Sequence, residues 1–504
     1  MAIVRVKREV FQTMDKRELL KIFSQLNDTT EYEEEDIRSF LQVKQYRELQ
    51  DPSKIIVVGG RGAGKTRVFK TLVGENGFRH VIGDNTPFNR PNYQNTKILI
   101  GYSVDTPTLP SPTVLDGLGT DAEISAFWVG ATVLEILAYF KEDETIQTAA
   151  KIHFDSDVYI LIQQDDILKF PRKWLPIYLS NPEPWESFLD EVDKILLDRD
   201  NWIFIAYDQI DRISTNLKIL YVYIQSLVSY WFSVSNRRRR LKCKIFIRTD
   251  LLNSESIHFP DASKVSSRRI DLSWDTLTLY RLLIRRLANT QDEAAPQMLE
   301  YMDKIPGLLE KRTNTGYFPV EDKDIVRKFI QQLIGPYMGT SPKKGDSYLW
   351  VPNHLQDANG DLSPRSFLKC YSCAAQTMLS PIGEKMLLQL SDTALLNPSA
   401  IQGAVQEVSA YRVTELGEDF PWIARLKNVL SGGTLLMPED EFKERLAIFL
   451  KNAPKDLPVE SVDNLLNLLL SLGIITQSTD KRINMPEIYL HGFGLKRKGG
   501  LRRT

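Results

Sequence analysis

A glycine-rich octapeptide is the strongest chemical signal in the sequence. It reads GGRGAGKT at residues 59–66 and fits the phosphate-binding pattern G-x-x-x-x-G-K-[ST], known as Walker A. In that pattern the glycines let backbone N–H groups face phosphate oxygens, Lys65 reaches the β- and γ-phosphates, and the Thr66 hydroxyl lies on Mg²⁺. The predicted nucleotide-binding residues are Gly59, Gly60, Arg61, Gly62, Ala63, Gly64, Lys65, Thr66 and Arg67.

The residues on either side place this octapeptide between a strand and a helix. Residues 54–58 (KIIVV) form a β-branched run typical of a buried strand, and residues 67–72 (RVFKTL) have helical apolar spacing. A chance glycine-rich turn is the competing explanation, and the bare pattern arises in roughly one chain of this length in fifty. Because the flanking elements make chance less frequent still, we interpret the octapeptide as a nucleotide site.

A second apolar run ends in a carboxylate. Residues 202–208 (WIFIAYD) predict a buried strand whose last residue, Asp208, binds Mg²⁺ together with Thr66. An ordinary strand-ending aspartate is credible for Asp208 alone, but the phosphate-binding loop favours the functional interpretation. The next residue is often a glutamate that polarises the attacking water, and here it is Gln209. A neutral amide is a poor proton acceptor, so Asp211 is the candidate for that role.

Three arginines are candidates for sensing or stabilising phosphate charge. The run at residues 244–250 predicts a strand that places Arg248 beside the γ-phosphate. The following run, residues 267–274, is entered through Arg268 and Arg269, which could reach the γ-phosphate bound by a neighbouring subunit. Ordinary surface charge is an equally good explanation for either residue. The functional interpretation predicts a homo-oligomer.

The elements that must position these residues indicate an α/β core. About 140 residues separate the two motifs, too many for one ordinary crossover. Within them, residues 96–102 predict a strand and residues 125–140 a helix. An additional strand between the motifs is the arrangement of the additional-strand class of P-loop proteins, which includes AAA+ ATPases. A guanine-reading N-K-x-D motif does not follow, which disfavours a GTPase.

The order of elements resembles AAA+ proteins, and residues 208–212 (DQIDR) resemble the KAP and STAND branches of P-loop NTPases. Residues 244–251, 363–368 and 486–500 resemble a poorly characterised group of prokaryotic P-loop ATPases, often associated with mobile or antiphage-defence loci. By position, Arg365 matches the sensor 2 arginine of AAA+ proteins, which implies contact with the γ-phosphate from a lid. The resemblance also implies a partner effector protein and a role in defence.

Four regions follow from these patterns. We expect a helical N-terminal extension at residues 1–48, with a solvated acidic cluster at 31–36, and a three-layer P-loop core of the AAA+-like class at 49–275. A helical lid spans 276–435, with a loop or insertion at 335–364. Residues 436–504 are a winged-helix-like domain with a basic tail.

The C-terminal region resembles a winged helix because two helical segments precede a hairpin at residues 474–485. Its second helix, within residues 459–473, has no Lys or Arg, so we favour packing against protein over DNA recognition. Basic runs at 237–244 and 495–504 keep nucleic acid as a possible partner. Solvated loops explain both runs at least as well.

Composition excludes several classes of protein. The chain has 504 residues, 42% of them hydrophobic, as in soluble globular proteins. Its 64 Lys plus Arg nearly balance 65 Asp plus Glu, so the net charge of the protein does not attract it to nucleic acid or to a membrane. Three cysteines suit a reducing compartment, and Cys370 and Cys373 lack the second pair that zinc requires. The longest apolar run, residues 220–232, is too short to span a bilayer. We therefore expect a cytoplasmic protein with no membrane partner and no metal besides Mg²⁺.

The sequence as a whole predicts a Mg²⁺-dependent ATPase that works as a conformational switch or assembly engine. In this scheme Lys65, Asp208, Asp211, Arg248, Arg269 and Arg365 are the catalytic candidates. Two alternatives stay open. One is a motor or loader whose hydrolysis nucleic acid stimulates, and the other is an ATP-locked scaffold that hydrolyses little because Gln209 replaces an acid.

Overall fold

Five apolar runs form one parallel sheet in the computed structural model. Its spatial order is β2-β3-β4-β1-β5, and every neighbouring pair is parallel. Strand β4 therefore lies between β1, which leads into the glycine-rich loop, and β3, which ends before Asp208. The strands are β1 (Ile56–Gly59), β2 (Thr96–Tyr102), β3 (Trp202–Tyr207), β4 (Leu241–Arg248) and β5 (Arg269–Asp271).

The chain divides into two compact units. The sheet unit is Gln42–Leu272, and the second unit combines Met1–Leu41 with Ser273–Thr504. The structure describes residues 16–26, 36–83, 90–214, 216–252, 265–312, 315–452 and 457–497. The first described helix, α1, spans residues 16–24 in the second unit. Of the predicted acidic cluster, residues 31–35 lie outside the described residues, and Asp36 caps the short 3₁₀ turn Ile37–Ser39.

Helices surround the sheet within its own unit. They are α2 (Lys65–Val73), α3 (Gly77–Ile82), α4 (Pro112–Asp116), α5 (Asp121–Tyr139), α6 (Glu144–His153), α7 (Ser156–Ile162), α8 (Pro171–Ser180), α9 (Glu183–Asp198), α10 (Leu217–Val234) and α11 (Thr249–Leu252). The 3₁₀ turns of this unit are Lys44–Gln50, Ile167–Lys169, Ile210–Arg212 and Ser266–Arg268.

The two faces of the sheet pack against different helices, because side chains alternate along a strand. On one face, Ile205 and Ile245 join a large apolar core with residues of α5, α9 and α10. On the other, Phe246 meets Phe69 of α2 edge-to-face, with ring centroids 5.8 Å apart. Strands covered on both faces favour apolar side chains at every position, which is why β1 and β3 are continuous apolar runs.

Helix α5 is apolar around most of its circumference. It begins at a capping box formed by Thr120 and Glu123, whose side chains bond each other's backbone N–H groups. Among the described residues, α5 is the one helix long and apolar enough to cross a membrane, but 67% of its most apolar window is buried inside the fold. The apolar run at 220–232 lies within α10.

The second unit is mainly helical. Its remaining helices are α12 (Thr276–Ala288), α13 (Ala295–Asp303), α14 (Lys323–Ile334), α15 (Ser347–Leu355), α16 (Pro364–Leu379), α17 (Gly383–Leu388), α18 (Pro398–Asp419), α19 (Pro421–Leu430), α20 (Glu439–Lys451), α21 (Val462–Ser471) and α22 (Glu487–Leu490). Its strands are β6 (Leu309–Arg312), β7 (Gly316–Pro319), β8 (Thr434–Leu435), β9 (Met437–Pro438), β10 (Thr476–Gln477), β11 (Arg482–Asn484) and β12 (Lys496–Arg497).

The short strands of this unit form three small sheets. Strands β6 and β7 make an antiparallel hairpin, β12 pairs parallel with β8, and β11 pairs antiparallel with both β10 and β9. The hairpin of β10 and β11 lies where the sequence predicts one, after α20 and α21. The α/β prediction is confirmed as a parallel five-stranded sheet with many helices. The lid, the winged helix and the AAA+-like class stay predictions.

The structure adds elements to two predicted regions of the second unit, while the insertion at 335–364 and the lid at 276–435 stay predictions. Residues 335–364 are not simply a loop, because Asp346 caps α15 and the helix buries Tyr348, Val351 and Leu355. The region 276–435 is not purely helical, since it contains the hairpin of β6 and β7. Residues 309–312 (LEKR) are mostly exposed, so they lack the apolar alternation that marks a half-buried strand.

Candidate nucleotide-binding site

The glycine-rich loop turns tightly between β1 and α2. Gly62 and Gly64 have φ values of +77° and +92°, a region that side chains other than glycine's rarely tolerate. Gly64 is the N-cap of α2, so the helix axis begins at Lys65. The N–H groups of a first helical turn have no partners within the helix and carry its positive dipole end. This geometry provides an anion site for phosphate.

Lys65 lies over the loop that it belongs to. Its ammonium donates to the carbonyl oxygens of Gly59 at 2.8 Å and Gly60 at 3.0 Å. Burial lowers the pKa of Lys65 to about 8, against the attraction of Asp211 and Asp208, which raises it. The group is therefore mainly charged at neutral pH. A mobile cation held beside the loop can transfer its hydrogen bonds to phosphate oxygens.

Asp208 is the residue directly after β3, and its side chain contacts Thr66 near the start of α2. Its backbone N–H donates to the carbonyl of Tyr102 at 2.9 Å, and its carboxylate accepts from the Thr66 hydroxyl. Burial raises the pKa of Asp208 to about 6, although Thr66 and the charge of Lys65 act in the opposite direction. Within the described residues its buried Oδ2 atom has no hydrogen-bond partner. An orphaned buried carboxylate oxygen beside a hydroxyl fits a hard divalent cation such as Mg²⁺.

Gln209 is turned away from the role that its sequence position indicates. Its backbone is left-handed, with φ of +55°, and its side chain is 5% exposed. The side-chain oxygen Oε1 of Gln209 accepts a hydrogen bond from the Ser103 hydroxyl at 2.9 Å, while its Nε2 donates to Asp105 at 3.3 Å. Asp105 also pairs with Lys70 of α2 at 3.4 Å. Gln209 thus links the end of β2 to the loop helix rather than offering a free amide to water.

A cluster of opposite charges follows the ends of β3 and β4. Arg248 is the register partner of Gly59, and its side chain is 9% exposed. Its Nη1 lies 3.6 Å from Oδ2 of Asp211, and its Nε and Nη2 donate to Asp250 at 3.1 and 2.7 Å. Asp211, Arg248 and Asp250 all act electrostatically on Lys65. The structure therefore brings the predicted Arg248 and Asp211 to the loop.

Asp250 is a residue of this cluster that the sequence did not single out. Burial raises its pKa, but the charge and hydrogen bonds of Arg248 outweigh this and hold it below the ordinary value. The arginine two residues earlier was the available signal, because Arg and Asp at the end of one strand can pair on the same side. Ser103 and Asp105 were likewise missed, since nothing in their local sequence connects them to Gln209.

Arg268, just before β5, and Arg269, its first residue, lie near the amino-terminal ends of the strands, whereas the loop follows the carboxyl-terminal end of β1. Arg269 pairs with Ile56, the first residue of β1, whereas the loop follows the last residue. Its Nε donates to Asp271 at 3.0 Å. Arg268 donates to Ser235 and lies over the Phe232 ring at 5.1 Å. Neither arginine belongs to the cluster around Lys65 in its own chain, so a role for them in trans stays a prediction.

Arg365 belongs to the second unit. It lies in the first turn of α16 and donates to Oε1 of Glu415 at 2.6 Å. The other carboxylate oxygen accepts from Arg412 at 2.6 Å, and Glu415 is 3% exposed. One buried acid therefore joins two arginines within this unit. Contact between Arg365 and a nucleotide stays a prediction.

Part of the basic run at 237–244 forms ion pairs within the fold, whereas Arg237 and Arg239 are exposed, and nucleic-acid binding by the run stays a prediction. Arg238 is 1% exposed and pairs with Glu186 at 2.5 Å and Asp190 at 3.1 Å, both on α9. Arg240 pairs with Asp200 at 2.8 Å. These two paired arginines resemble a surface patch only while the acids that neutralise them, some 40 to 50 residues earlier, are unknown.

As far as the structure describes them, the C-terminal basic run and the two cysteines of α16 supply no further residues to the candidate nucleotide site. In the C-terminal run, Lys496 and Arg497 form β12, and residues 498–504 lie outside the described part. Arg497 donates to the carbonyl of Met485 at 2.9 Å. Cys370 and Cys373 are buried, free thiols on α16. Among described residues, no group of three His, Cys, Asp or Glu side chains could hold a metal.

Comparison with known proteins places the chain in no family. No family model and no curated protein matches the sequence. Among solved structures, the Walker-type ATPase PABY2304 of Pyrococcus abyssi aligns with a TM-score of 0.37 and 10% identity, over 90% of this chain and 95% of that one. A likeness of this degree shows neither a shared fold nor a shared function.

Proposed function

We propose that this protein binds ATP with Mg²⁺ and hydrolyses it. The observation that carries the proposal is the meeting of Thr66 with Asp208, beside a lysine held over a helix-terminal glycine loop. A hydroxyl and a carboxylate brought together from two distant motifs can supply two oxygen ligands to Mg²⁺, and waters and substrate phosphate oxygens can supply the others. That combination is the recurring arrangement of P-loop NTPases.

Thr66 and Asp208 are the residues that would hold the metal, since the orphaned Oδ2 of Asp208 supplies a free ligand atom. When bound, Mg²⁺ neutralises charge on the β- and γ-phosphates. The rest of the chemistry belongs to this chain. The loop N–H groups and Lys65 bind phosphate oxygens, and Arg248 lies close enough to Asp211 and Lys65 to stabilise added negative charge at the same edge.

Asp211 is the best candidate for the general base. Hydrolysis forms a bond from the water oxygen to the γ-phosphorus, breaks the bond to the β,γ-bridging oxygen, and moves one water proton to a base. Asp211 is partly open, with 29% of its side chain exposed, so water can reach it. Gln209 is buried and hydrogen-bonded elsewhere. An acid three residues after Asp208 therefore serves better than the amide next to it.

We further propose that the nucleotide state sets the conformation of the protein, as a switch or assembly engine. A partner effector protein and a role in prokaryotic defence are proposals that rest on the sequence resemblance alone. Switching by γ-phosphate contacts is a common mechanism among P-loop proteins. Arg365 and Arg248 are the residues proposed to respond to the γ-phosphate.

The two alternatives fare differently against the contacts at these residues. A nucleic-acid motor needs exposed basic side chains; Arg238 is buried and Arg240 is paired, whereas Arg237 is 60% exposed, so the basic run gives the motor only partial support. The ATP-locked scaffold was motivated by Gln209, but a second acid, Asp211, lies with Lys65 and Arg248. Hydrolysis is therefore the better proposal, and the scaffold is its main competitor.

The experiment is ATP hydrolysis by purified protein over a wide range of protein concentrations, with equilibrium binding of ATP measured in parallel. Lys65→Ala should abolish hydrolysis, because it removes a cation that faces the phosphates. Lys194→Ala is the matched control, since Lys194 is 69% exposed on α9 and pairs with Glu191. Wild-type protein that binds ATP but hydrolyses it no faster than Lys65→Ala would establish the scaffold instead.

A further inference from the structure

Asp250 makes a two-point contact with Arg248. Two parallel hydrogen bonds join the guanidinium Nε and Nη2 to the two carboxylate oxygens, at 3.1 and 2.7 Å. A paired fork of this kind fixes the plane of the guanidinium as well as its distance. A single ion pair would leave the group free to rotate.

The atom left outside this fork is directed at the proposed base. Nη1 of Arg248 lies 3.6 Å from Oδ2 of Asp211. Asp250 itself lies in the first turn of α11, two residues beyond the end of β4. The fork therefore fixes which edge of the guanidinium meets Asp211, and the charges of Asp211, Arg248 and Asp250 all act on Lys65.

The ion pair between Arg248 and Asp250 is partly buried, so water screens it less than it would a fully exposed pair. The side chains of Arg248 and Asp250 are 9% and 23% exposed. Ion pairs in full solvent contribute little because water screens them, whereas partly buried pairs with two-point geometry are held firmly. An unrestrained arginine side chain loses rotamer entropy when it is ordered. Asp250 has already ordered it.

We propose that Asp250 is a positioning residue for hydrolysis, which orients Arg248 so that its Nη1 faces Asp211 and its charge acts on the terminal phosphate. The inference rests on the proposed function and extends it to a residue that touches neither substrate nor metal. Asp250 acts only through Arg248. Its loss therefore slows the chemical step more than it weakens nucleotide binding.

The test compares kcat and KM for ATP in wild type, Asp250→Asn, Asp250→Glu and Arg248→Gln, and in the double variant of Asp250→Asn with Arg248→Gln. We expect Asp250→Asn to lower kcat about ten-fold or more and to change KM less than about three-fold. Asp250→Glu keeps both oxygens and should recover most of kcat. In the Arg248→Gln background, Asp250→Asn should lower kcat by less than about two-fold, because coupled residues are non-additive.

A matched control is available elsewhere in the chain. Asp480 forms a pair with Arg482 at the same two-residue spacing, with Nε 2.6 Å from the carboxylate, in the second unit. Asp480→Asn should leave kcat unchanged. Melting temperatures distinguish a folding defect from a catalytic one, and Asp250→Ser replaces Asp250→Asn if the latter does not fold.

Each outcome decides the matter. An unchanged kcat in Asp250→Asn, an equal loss in both backgrounds, or a loss that Asp250→Glu fails to recover would overturn the positioning role. Wild-type hydrolysis no faster than that of Lys65→Ala overturns the proposed function, and this inference with it. A large rise in KM with kcat unchanged would show that Asp250 serves nucleotide binding instead.

Discussion

Five charged side chains around the glycine-rich loop differ in charge and in environment. Lys65 and Arg248 supply positive charge, while Asp208, Asp211 and Asp250 supply negative charge. Their surroundings differ. Asp208 is 2% exposed and retains an orphaned oxygen, Asp250 is committed to Arg248, and Asp211 is partly open. Three acids close in space thus have three different environments, which is how one site can assign them different roles.

Asp211 and Gln209 make opposite predictions when they are replaced. Asp211→Asn should lower kcat about a hundred-fold or more, because it removes the proposed proton acceptor without changing the side chain's size. Gln209→Ala should lower kcat far less. It should instead lower the free energy of unfolding by about 1–3 kcal/mol, since Ser103 and Asp105 lose a buried hydrogen-bond partner. Steady-state kinetics and chemical denaturation measure the two effects.

If Gln209→Ala proved as inactive as Asp211→Asn while remaining equally stable, the assignment of the base would be reversed. Ser103→Ala is the control for Gln209, because it removes a hydrogen bond to the same amide from the other side. It should reduce stability and leave hydrolysis nearly intact.

Sequence predicts the residues of this site unevenly, and spacing explains the difference. Lys65 and Thr66 belong to one octapeptide, so local sequence is sufficient to identify them. Asp208 needs only a preceding apolar strand. The environment of Gln209 depends on Ser103 and Asp105, more than a hundred residues earlier, which only the folded chain brings together.

Individual strands and helices were predictable to the extent that they are buried. Strands β1 and β3 are fully buried apolar runs, because helices cover both faces of the sheet, whereas β5 at its edge contains Arg269 and Asp271. Helix α15 was missed because Pro352 lies inside it and Gly, Pro and Asp residues surround it. The strands β6 and β7 were missed because they are short and partly exposed. Apolar periodicity reports burial, so exposed elements leave little trace of it.

The arginine run before β4 offers a stability test at the level of α9 and its neighbouring strand. Arg238→Met should lower the free energy of unfolding by about 2–4 kcal/mol, because it leaves Glu186 and Asp190 without their buried cation. Arg237→Met is the matched control. Arg237 also pairs with Asp190 but is 60% exposed, so its loss should cost less than about 1 kcal/mol. Urea denaturation measures both; similar small costs would contradict the ion-pair anchor.

Helix α5 contains an acid whose burial predicts a pH effect. Desolvation raises the pKa of Glu135 to about 7, above its ordinary value of 4.5. The folded state therefore binds more protons than the unfolded state between these values, and stability falls as pH rises through that window. Glu135→Gln should stabilise the protein more at pH 8 than at pH 5.

Chemical denaturation of both proteins at the two pH values measures this difference. Glu142→Gln, which changes an acid in a nearby exposed turn, is the control for the loss of one carboxyl group. An equal effect of Glu135→Gln at pH 5 and pH 8 would mean that the carboxyl is not desolvated in the folded state.

For the molecule as a whole, the candidate arginines are dispersed. Arg248 lies at the carboxyl end of β4, beside the loop, and Arg269 lies at the amino end of β5. Arg365 belongs to the second unit. Arg269 is the register partner of the first residue of β1, so it lies about 10 Å along the strand from the loop of its own chain, and its Nε donates to Asp271. We therefore predict that Arg269, if it takes part in hydrolysis, acts on a nucleotide bound by another copy in an oligomer.

Mixing two inactive variants tests that prediction. Lys65→Ala retains Arg269 but lacks a working loop, whereas Arg269→Ala retains the loop but lacks the arginine. In a closed symmetric oligomer mixed in equal amounts, a quarter of the sites combine an intact loop with an intact neighbouring arginine. Hydrolysis should therefore recover to about one quarter of the wild-type rate on mixing. Arg269→Ala protein that is already fully active would remove Arg269 from the reaction and leave Arg248 to stabilise the charge from within its own chain, whereas a mixture that gains nothing would contradict the action of Arg269 in trans.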